Sequence, residues 1–458
     1  MSRRSRDRPG TVGARRCAVL LACVGIALAL GVAALSASGP APSSFARSFL
    51  GTGDSPAVAI GDLNGDRRAD IVTANYNPES VSVDLNTGGG HFRGREYRVG
   101  GLTRSVAIGD LNDDGKPDVV AATDTIDKSY TVSVLLNNGA GSLADSHDYV
   151  VGKPRAAVVI ADLNGDGYPE LAIANDVTNA VSVLRNRGGT FAPGSTYATG
   201  RQPTFVASGD LNDDGRLDLA TANAGADTVS VLLNQVDGNL QARHDYGSGR
   251  GPRSIAIGDL NGDRQPDLAT GNTGAGTVSV LLGRGDGSFQ PKHDYRTGSG
   301  PFSIVIGDLN GDGKPDLASA NSGSGTLSVL LNGGDGSFRP KLDYVPGPEL
   351  YAGSIAIGDL NGDRRLDLAV SIVYSRNGAT DLSLLINTPG LCNVQSVRGL
   401  TLLAAKHTLS RINCRVGKVG HAYSKSIKRG RVISEKPGFG AVLRKGGKVD
   451  LVISRGRK

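Results

Sequence analysis

The sequence has 458 residues with 66 Gly, no Trp and one Met, and its formal net charge is +6; this length allows two or three domains with a sizeable core. The positive charge lies at the two ends, because residues 1–16 carry +5 and residues 391–458 carry +14, which leaves −13 for residues 17–390. The acidic middle excludes nucleic acid as the main partner, although the pI alone would favour it.

The N-terminal segment has the pattern of an export signal. Six Arg within residues 1–16 precede an uncharged apolar run over 17–35, and small residues follow over 36–39. The run has about 19 residues, which is enough to cross a bilayer if it is not cleaved. Residues 1–38 are therefore interpreted as a signal peptide or an N-terminal membrane anchor, and the rest of the chain is predicted to be secreted or to face the outside of the cell.

Residues 44–388 are dominated by an internal repeat. The pattern Asp-Leu-Asn-x-Asp-x-x-x-Asp/Glu occurs seven times at intervals of 48 to 52 residues, beginning at Asp62, Asp110, Asp162, Asp210, Asp259, Asp308 and Asp359. Four short strand patterns surround each copy, which is typical of a four-stranded antiparallel sheet. Seven such units predict an all-β, seven-bladed β-propeller.

The two ends of the repeat region are complementary. The last copy stops after its third strand, and the missing turn and fourth strand loosely match residues 44–51, upstream of the first loop. We therefore predict that residues 44–51 pair with the last blade and close the ring, because closure removes exposed sheet edges. A linear solenoid is the alternative, but it does not account for complementary half-repeats.

The nine-residue loop offers oxygen ligands at positions 1, 3, 5 and 9, which suit calcium. Without a recurring His or Cys the loop does not suit zinc. The predicted ligands are Asp62, Asn64, Asp66, Asp70, Asp110, Asn112, Asp114, Asp118, Asp162, Asn164, Asp166, Glu170, Asp210, Asn212, Asp214, Asp218, Asp259, Asn261, Asp263, Asp267, Asp308, Asn310, Asp312, Asp316, Asp359, Asn361, Asp363 and Asp367. Ordinary Asp/Asn/Gly turns are the alternative for any single copy.

Up to seven structural Ca²⁺ ions would nearly cancel the charge of the acidic middle. Position 2 is always Leu and is expected to anchor the loop in the core. Position 6 is Gly in four copies and Arg67, Arg264 or Arg364 in three. If position 6 requires a positive φ, Arg costs about 1 kcal/mol, so the loops that begin at Asp62, Asp259 and Asp359 are expected to bind more weakly.

These repeats resemble the FG-GAP/VCBS family, whose blades also occur in integrin α-subunit propellers. The resemblance covers roughly residues 44–388 and is specific because seven copies remain in register. It implies a seven-bladed propeller with a calcium ion in each loop.

The composition changes at Leu391. Residues 400–412 form a helical pattern, and strand patterns follow at 431–434 and 449–454. The motifs Gly430-Arg-Val-Ile-Ser434 and Gly446-Gly-Lys-Val-Asp-Leu-Val-Ile-Ser454 resemble those of a PASTA domain, which implies a small α+β domain over 391–458. Cys392 and Cys414 are predicted to form a disulfide in an exported segment.

The sequence contains no recognisable nucleophile elbow, P-loop or catalytic triad. We therefore expect a non-catalytic, calcium-stabilised binding or adhesion protein of the bacterial wall or surface. Its predicted partner is a cell-wall polymer or a surface glycan or protein, and membrane contact is expected only through an uncleaved N-terminal segment. A secreted polysaccharide-active enzyme with a site on one propeller face is the alternative.

Overall fold

The computed structural model describes residues 45–50, 57–125, 130–152, 157–346, 350–374, 380–388 and 390–457. The predicted export signal at 1–38 and Cys17 and Cys23 lie outside these residues, as do residues 44 and 51 of the predicted closing segment. Within the described residues, no helix is both long and apolar enough to span a membrane.

Repeated four-stranded antiparallel sheets make up most of the described chain, which confirms the all-β prediction. Seven such sheets are present in the described residues, and we number them 1 to 7 in chain order. Sheets 1 to 3 consist of Ala57–Gly61, Asp70–Asn75, Ser80–Gly88 and His91–Arg98; Leu102–Gly109, Asp118–Asp124, Tyr130–Leu135 and His147–Gly152; and Val158–Ala161, Glu170–Asn175, Ala180–Asn186 and Phe191–Ala198.

The next three sheets repeat this order, and a short 3₁₀ turn at Val236–Gly238 follows the third strand of sheet 4. Sheets 4 to 6 consist of Pro203–Gly209, Asp218–Asn223, Thr228–Leu232 and His244–Gly247; Pro252–Gly258, Asp267–Asn272, Thr277–Leu281 and His293–Arg296; and Pro301–Gly307, Asp316–Asn321, Thr326–Leu330 and Leu342–Tyr344.

Sheet 7 joins the two ends of the repeat region. Its first three strands are Leu350–Gly358, Asp367–Tyr374 and Thr380–Asn387, and its fourth strand is Phe45–Leu50. Phe45 lies opposite Asn387 and Leu50 lies opposite Leu382 in an antiparallel register. The edge of the last sheet is thus covered by the segment that precedes the first repeat.

The sheets pack face to face, and their first strands contact one another. The first strand of each sheet contacts the first strand of the next, and that of sheet 7 contacts that of sheet 1. The approach is close at the strand end, which is Gly in six sheets and Ala161 in sheet 3. A Cβ on Gly258 would lie 3.2 Å from Cγ2 of Ile306, and one on Gly358 would lie 2.8 Å from Cγ2 of Ile60.

The core lies between adjacent sheets, so the second strands are buried on both faces. All six residues of Asp267–Asn272 are buried, as are those of Asp316–Asn321. One apolar cluster joins residues of sheets 1 and 2, and another joins residues of sheets 1 and 7. Each sheet therefore depends on both of its neighbours for burial of its apolar faces.

Tyrosines of the fourth strands join neighbouring sheets. Tyr295 of sheet 5 meets Phe338 of sheet 6 edge to face, with ring centroids 5.1 Å apart. Its hydroxyl donates a hydrogen bond to the carbonyl of Gly336 at 2.9 Å. At the junction of sheets 6 and 7, Tyr344 meets Phe45 at 5.2 Å. The fourth-strand Tyr is therefore a packing residue between sheets.

The C-terminal region has one helix, Leu402–Arg411, and five strands: Cys392–Asn393, Arg415–Ala422, Val432–Lys436, Val442–Leu443 and Lys448–Ser454. The hydroxyl of Thr401 caps the helix by accepting from the N–H of Ala404 at 3.3 Å. Cys392 and Cys414 form the predicted disulfide, which joins the first strand to the segment after the helix.

This C-terminal region is docked on sheet 6. The side chain of Gln395 accepts from the backbone N–H of Asp343 at 2.8 Å and donates to its carbonyl, as an added strand would. Val394 and Val397 are buried in one apolar cluster with Leu342 of sheet 6. The C-terminal region thus shares its core with the repeat sheets.

The substitution Tyr295→Phe tests the junction between sheets 5 and 6. It should lower the free energy of unfolding by about 1 kcal/mol, since it removes a hydrogen bond and keeps the ring contact. This corresponds to a decrease of about 2–4 °C in the thermal midpoint. The matched control is Tyr149→Phe, because Tyr149 packs against Phe191 in the same way but its hydroxyl has no hydrogen bond to a described residue. Equal effects of the two variants would contradict this account.

Candidate functional site

The acidic loop that follows the first strand of each sheet folds around its own side chains. In sheet 6, Asp308 Oδ1 accepts from the N–H of Gly311 and Asp308 Oδ2 from that of Gly313, both at 2.7 Å. Asn310 and Asp312 each accept, through Oδ1, from the N–H two residues further on, at 2.8 and 3.1 Å. Positions 1, 3 and 5 therefore shape the turn by accepting from its backbone.

The ninth-position carboxylate has a different role, because it is buried and joins three parts of its sheet. Asp316 has no exposed surface. Its Oδ2 accepts from the N–H of Leu309 in the loop at 3.1 Å, and its Oδ1 accepts from the N–H of Asn332 beyond the third strand at 2.8 Å. The ninth-position Asp accepts the corresponding two hydrogen bonds in five other sheets, at Asp70, Asp118, Asp218, Asp267 and Asp367.

Burial raises the pKa of this ninth carboxyl group in every loop. The pKa rises to about 7 in Asp316, and Glu170 shifts in the same direction. The charges at positions 1 and 5 raise it further, whereas the backbone N–H donors lower it. The pKa is about 6 in the other five loops, at Asp70, Asp118, Asp218, Asp267 and Asp367. The three carboxylates of one loop are thus close enough to repel one another.

Two positions of each loop adopt a left-handed backbone. The expectation for position 6 holds, since φ is 65° at Arg67, 70° at Arg264 and 67° at Arg364. Position 4 is also left-handed, with φ of 59° at Asp113 and Asp213. The loops that begin at Asp162 and Asp308 alone have Gly at both positions. Backbone strain therefore affects five of the seven loops rather than three.

The buried Leu at position 2 anchors the loop as predicted. All seven are at most 2% exposed: Leu63, Leu111, Leu163, Leu211, Leu260, Leu309 and Leu360. The Leu at position 2 and the carboxylate at position 9 are both buried. They anchor the two ends of the loop and leave the polar residues between them at the surface.

The donor chemistry of the loop fits a hard divalent cation. Each copy offers three carboxylates and one amide within nine residues, and their mutual repulsion is what a cation would relieve. In the described residues, however, no group of three or more His, Cys, Asp or Glu side chains is arranged to hold a metal ion. The loop oxygens accept hydrogen bonds from backbone N–H groups instead. To bind a cation, several of these oxygens would have to coordinate it through their remaining lone pairs, or the side chains would have to rotate.

The structure adds a residue that the sequence interpretation missed. An Asn at the end of the third strand donates through Nδ2 to the carbonyl of the loop Leu in the preceding sheet. Asn332 reaches Leu260 at 2.8 Å, and Asn86 of sheet 1 reaches Leu360 of sheet 7 at 2.8 Å. Gly283 occupies this position in sheet 5. The signal in the sequence is an Asn that usually follows the loop start by 24 residues.

The raised pKa of the ninth carboxyl predicts a pH dependence in the absence of metal. A group whose pKa is higher in the folded state binds its proton more tightly there. The contribution of Asp316 to the free energy of unfolding is therefore greatest at low pH, and it falls as the pH rises through about 7. In excess chelator the thermal midpoint should therefore be higher at pH 5 than at pH 8. The substitution Asp316→Asn should reduce this difference.

A matched control for this pH experiment is Asp335→Asn in the same sheet. Hydrogen bonds from Ser337 lower the pKa of Asp335, so this group does not titrate between pH 5 and pH 8. The control should keep the pH difference of the wild type. A midpoint that increases from pH 5 to pH 8 in chelator would contradict the raised pKa values.

Comparisons with known proteins agree with this repeat structure. The FG-GAP-like repeat model matches residues 62–121, 110–173, 162–221, 210–270, 262–319 and 308–370, and the PASTA domain model matches 393–455. A probable serine/threonine-protein kinase of Clostridium acetobutylicum is 43% identical over 61 residues, which are 13% of this chain and 9% of that kinase. The chain thus spans a small part of that relative.

Solved structures resemble this chain at low identity. BBS1N, in a crystal structure with ARL6DN soaked with lead, aligns with a TM-score of 0.51 and 14% identity over 76% of this chain and 98% of that chain. An inactive virginiamycin B lyase from Staphylococcus aureus, solved with quinupristin, aligns with a TM-score of 0.49 and 12% identity over 75% and 100% of the two chains. From the repeated sheets, the acidic loops and the matching models, the chain belongs to the FG-GAP-like repeat family and carries a C-terminal PASTA domain.

Proposed function

We propose that this protein is a calcium-stabilised, non-catalytic binding protein of the bacterial cell surface that engages a wall polymer. The observation that carries the proposal is the docking of a PASTA domain of net charge +14 onto acidic FG-GAP-like sheets. A basic domain attracts anionic wall polymers. The acidic repeat sheets would form a stable scaffold outside the cell. This scaffold would expose both the PASTA domain and one face of the repeat sheets to ligands.

The scaffold is proposed to be a closed seven-bladed propeller over residues 44–388, followed by the PASTA domain over 391–458. The cyclic order of contacts between first strands and the strand Phe45–Leu50 in sheet 7 support closure. So does the hydrogen bond from Asn86 to Leu360, which links residues 274 apart in sequence. Closure would leave no innermost strand without a neighbour.

Up to seven Ca²⁺ ions are proposed to bind the acidic loops through positions 1, 3, 5 and 9. When bound, the ion supplies positive charge among carboxylates that otherwise repel one another. Extracellular sites commonly have a Kd of about 10⁻⁴–10⁻³ M, and a tenfold excess of calcium over Kd stabilises by about 1.4 kcal/mol per site. Calcium would therefore act on folding stability rather than on chemistry.

Calcium should raise the thermal midpoint of the protein, and excess EDTA should lower it. Calorimetric titration measures the number of sites, and scanning calorimetry measures the stability. Replacing Asp308 and Asp312 by Asn should reduce the calcium response more than the same change at Asp259 and Asp263, because Arg264 strains the second loop. Magnesium at equal concentration is the control for ionic strength. An identical melting curve with calcium and with EDTA would refute the proposed calcium sites.

The basic surface of the PASTA domain is proposed to contact the wall polymer. Lys425, Lys428 and Arg429 are exposed and close in sequence. Exposed apolar side chains lie in the same domain, including Leu403 at 79% and Tyr423 at 54% exposure. Clustered cations and apolar surface together suit a polymer with both charged and sugar groups.

The full-length protein should be retained by purified bacterial cell wall in a pull-down. Replacing Lys425, Lys428 and Arg429 by Gln should weaken retention several-fold and reduce its sensitivity to salt. The matched control replaces Arg93, Arg98 and Arg296, three exposed arginines of the repeat sheets, and should leave retention unchanged. Absence of retention in the wild type would refute wall engagement, and release of soluble wall fragments would favour the polysaccharide-active enzyme.

A further inference from the structure

The first strands carry β-bulges at one end of the sheets. The pairing register skips Arg104, Thr204, Arg253 and Phe302 in sheets 2, 4, 5 and 6, and it is also irregular near Gly353 in sheet 7. A bulged residue is unpaired, and the local change of twist redirects its side chain. In the proposed closed ring these strands are innermost, so the bulges would lie around its axis, at the end of the first strands opposite the acidic loops.

This is also the place where the repeats stop resembling one another. The bulge position holds Arg, Thr or Phe, although the loops and second strands are almost identical between copies. The residue just beyond the second-strand Asn position varies as well: it is Tyr76, Asp124 and Asp176 in sheets 1 to 3, and a small residue in sheets 4 to 6. The packing that all copies share therefore does not fix the residues at this end of the sheets, which can have a role of their own.

The variable residues contact each other across sheets. Arg104 forms an ion pair with Asp124 through Nε, and its guanidinium lies 5.3 Å from the ring centroid of Tyr76 in sheet 1. Arg253 lies 4.7 Å from the ring centroid of Phe302 in sheet 6. We call Tyr76, Arg104, Asp124, Asp176, Arg253 and Phe302 the axial cluster.

The two arginines occupy the same bulge position at the same end of the sheets, although sheets 2 and 5 are not adjacent. Surrounding protein lowers the pKa of Arg253, and the charge of Arg104 lowers it further, whereas Asp176 raises it. Arg253 forms no ion pair within the described segments of the chain, and its side chain is exposed. The Arg253 guanidinium is therefore stacked on the Phe302 ring, and its N–H groups can donate hydrogen bonds to a ligand.

We propose that the axial cluster binds a neutral sugar unit of the wall glycan. This inference rests on the proposed wall engagement and assigns its glycan part to the repeat sheets. The planar guanidinium and carboxylate groups each form two parallel hydrogen bonds, which match adjacent sugar hydroxyls. Tyr76 and Phe302 offer aromatic faces to the apolar side of a sugar ring.

The charge of the axial cluster distinguishes a neutral sugar from a polyanion. Arg104 and Arg253 are balanced by Asp124 and Asp176, so the cluster has no net charge. Since these six residues carry no surplus of positive charge, they offer phosphate or uronate groups no net attraction. The axial cluster thus differs from the basic PASTA surface, and binding at the two places should respond differently to salt.

Binding of an N-acetylglucosamine tetrasaccharide to the full-length protein tests the proposal by calorimetry. The wild type should bind with little change between 50 and 500 mM salt. Arg253→Ala should weaken binding at least tenfold, and Arg253→Lys should also weaken it, because lysine keeps the charge but loses the fork. Phe302→Leu, which keeps an apolar side chain, should also weaken binding, because it removes the aromatic face and the ring on which the Arg253 guanidinium is stacked.

The matched control is Arg296→Ala, in the outer strand of the same sheet as Arg253, which should bind like the wild type. Equal affinity of Arg253→Ala and the wild type would overturn the axial site. Retention of the wild type on cell wall without tetrasaccharide binding would also overturn it, but would leave the proposed function intact. Tetrasaccharide binding without wall retention would support the axial site and count against wall engagement.

Discussion

A buried carboxylate at the start of each second strand organises the repeat. Asp316 accepts from the loop and from the end of the third strand through its two oxygens, so one side chain fixes three segments that local sequence would leave independent. The neighbouring Asn332 extends this connection to the preceding sheet. The order of the whole array therefore depends on acidic groups placed where they are poorly solvated.

Burial of a charged carboxylate is unfavourable, and this raises the pKa of the ninth carboxyl in every loop. Crowded, partly desolvated carboxylates favour either a proton or a cation, and the proposed calcium has the appropriate hardness for oxygen ligands. The same feature accounts for the separation of charge in the chain. Acidic residues outnumber basic ones in the repeat region, whereas basic residues outnumber acidic ones in the C-terminal domain.

The end of the sheets with the acidic loops and the end with the bulges are proposed to have different functions. At one end, repeated loops are nearly identical because each performs the same local function. At the other end, the first strands carry bulges at Arg253 and its counterparts, and the repeats diverge. Identity between copies thus marks the scaffold, and divergence at the axis marks the proposed recognition surface. The docked PASTA domain adds a second surface whose binding would be electrostatic.

The sequence alone determined the features set by short, regular spacing: the strands, the buried Leu of each loop, the helix at Leu402–Arg411 and the disulfide. These follow from local periodicity and from residues a few positions apart. Only the tertiary structure decided which distant residues meet, including Asn86 with Leu360, Gln395 with Asp343 and Arg253 with Phe302. It also showed the left-handed backbone at Asp113. Such contacts depend on how the sheets twist and stack around the axis, and no pattern within one repeat encodes that arrangement.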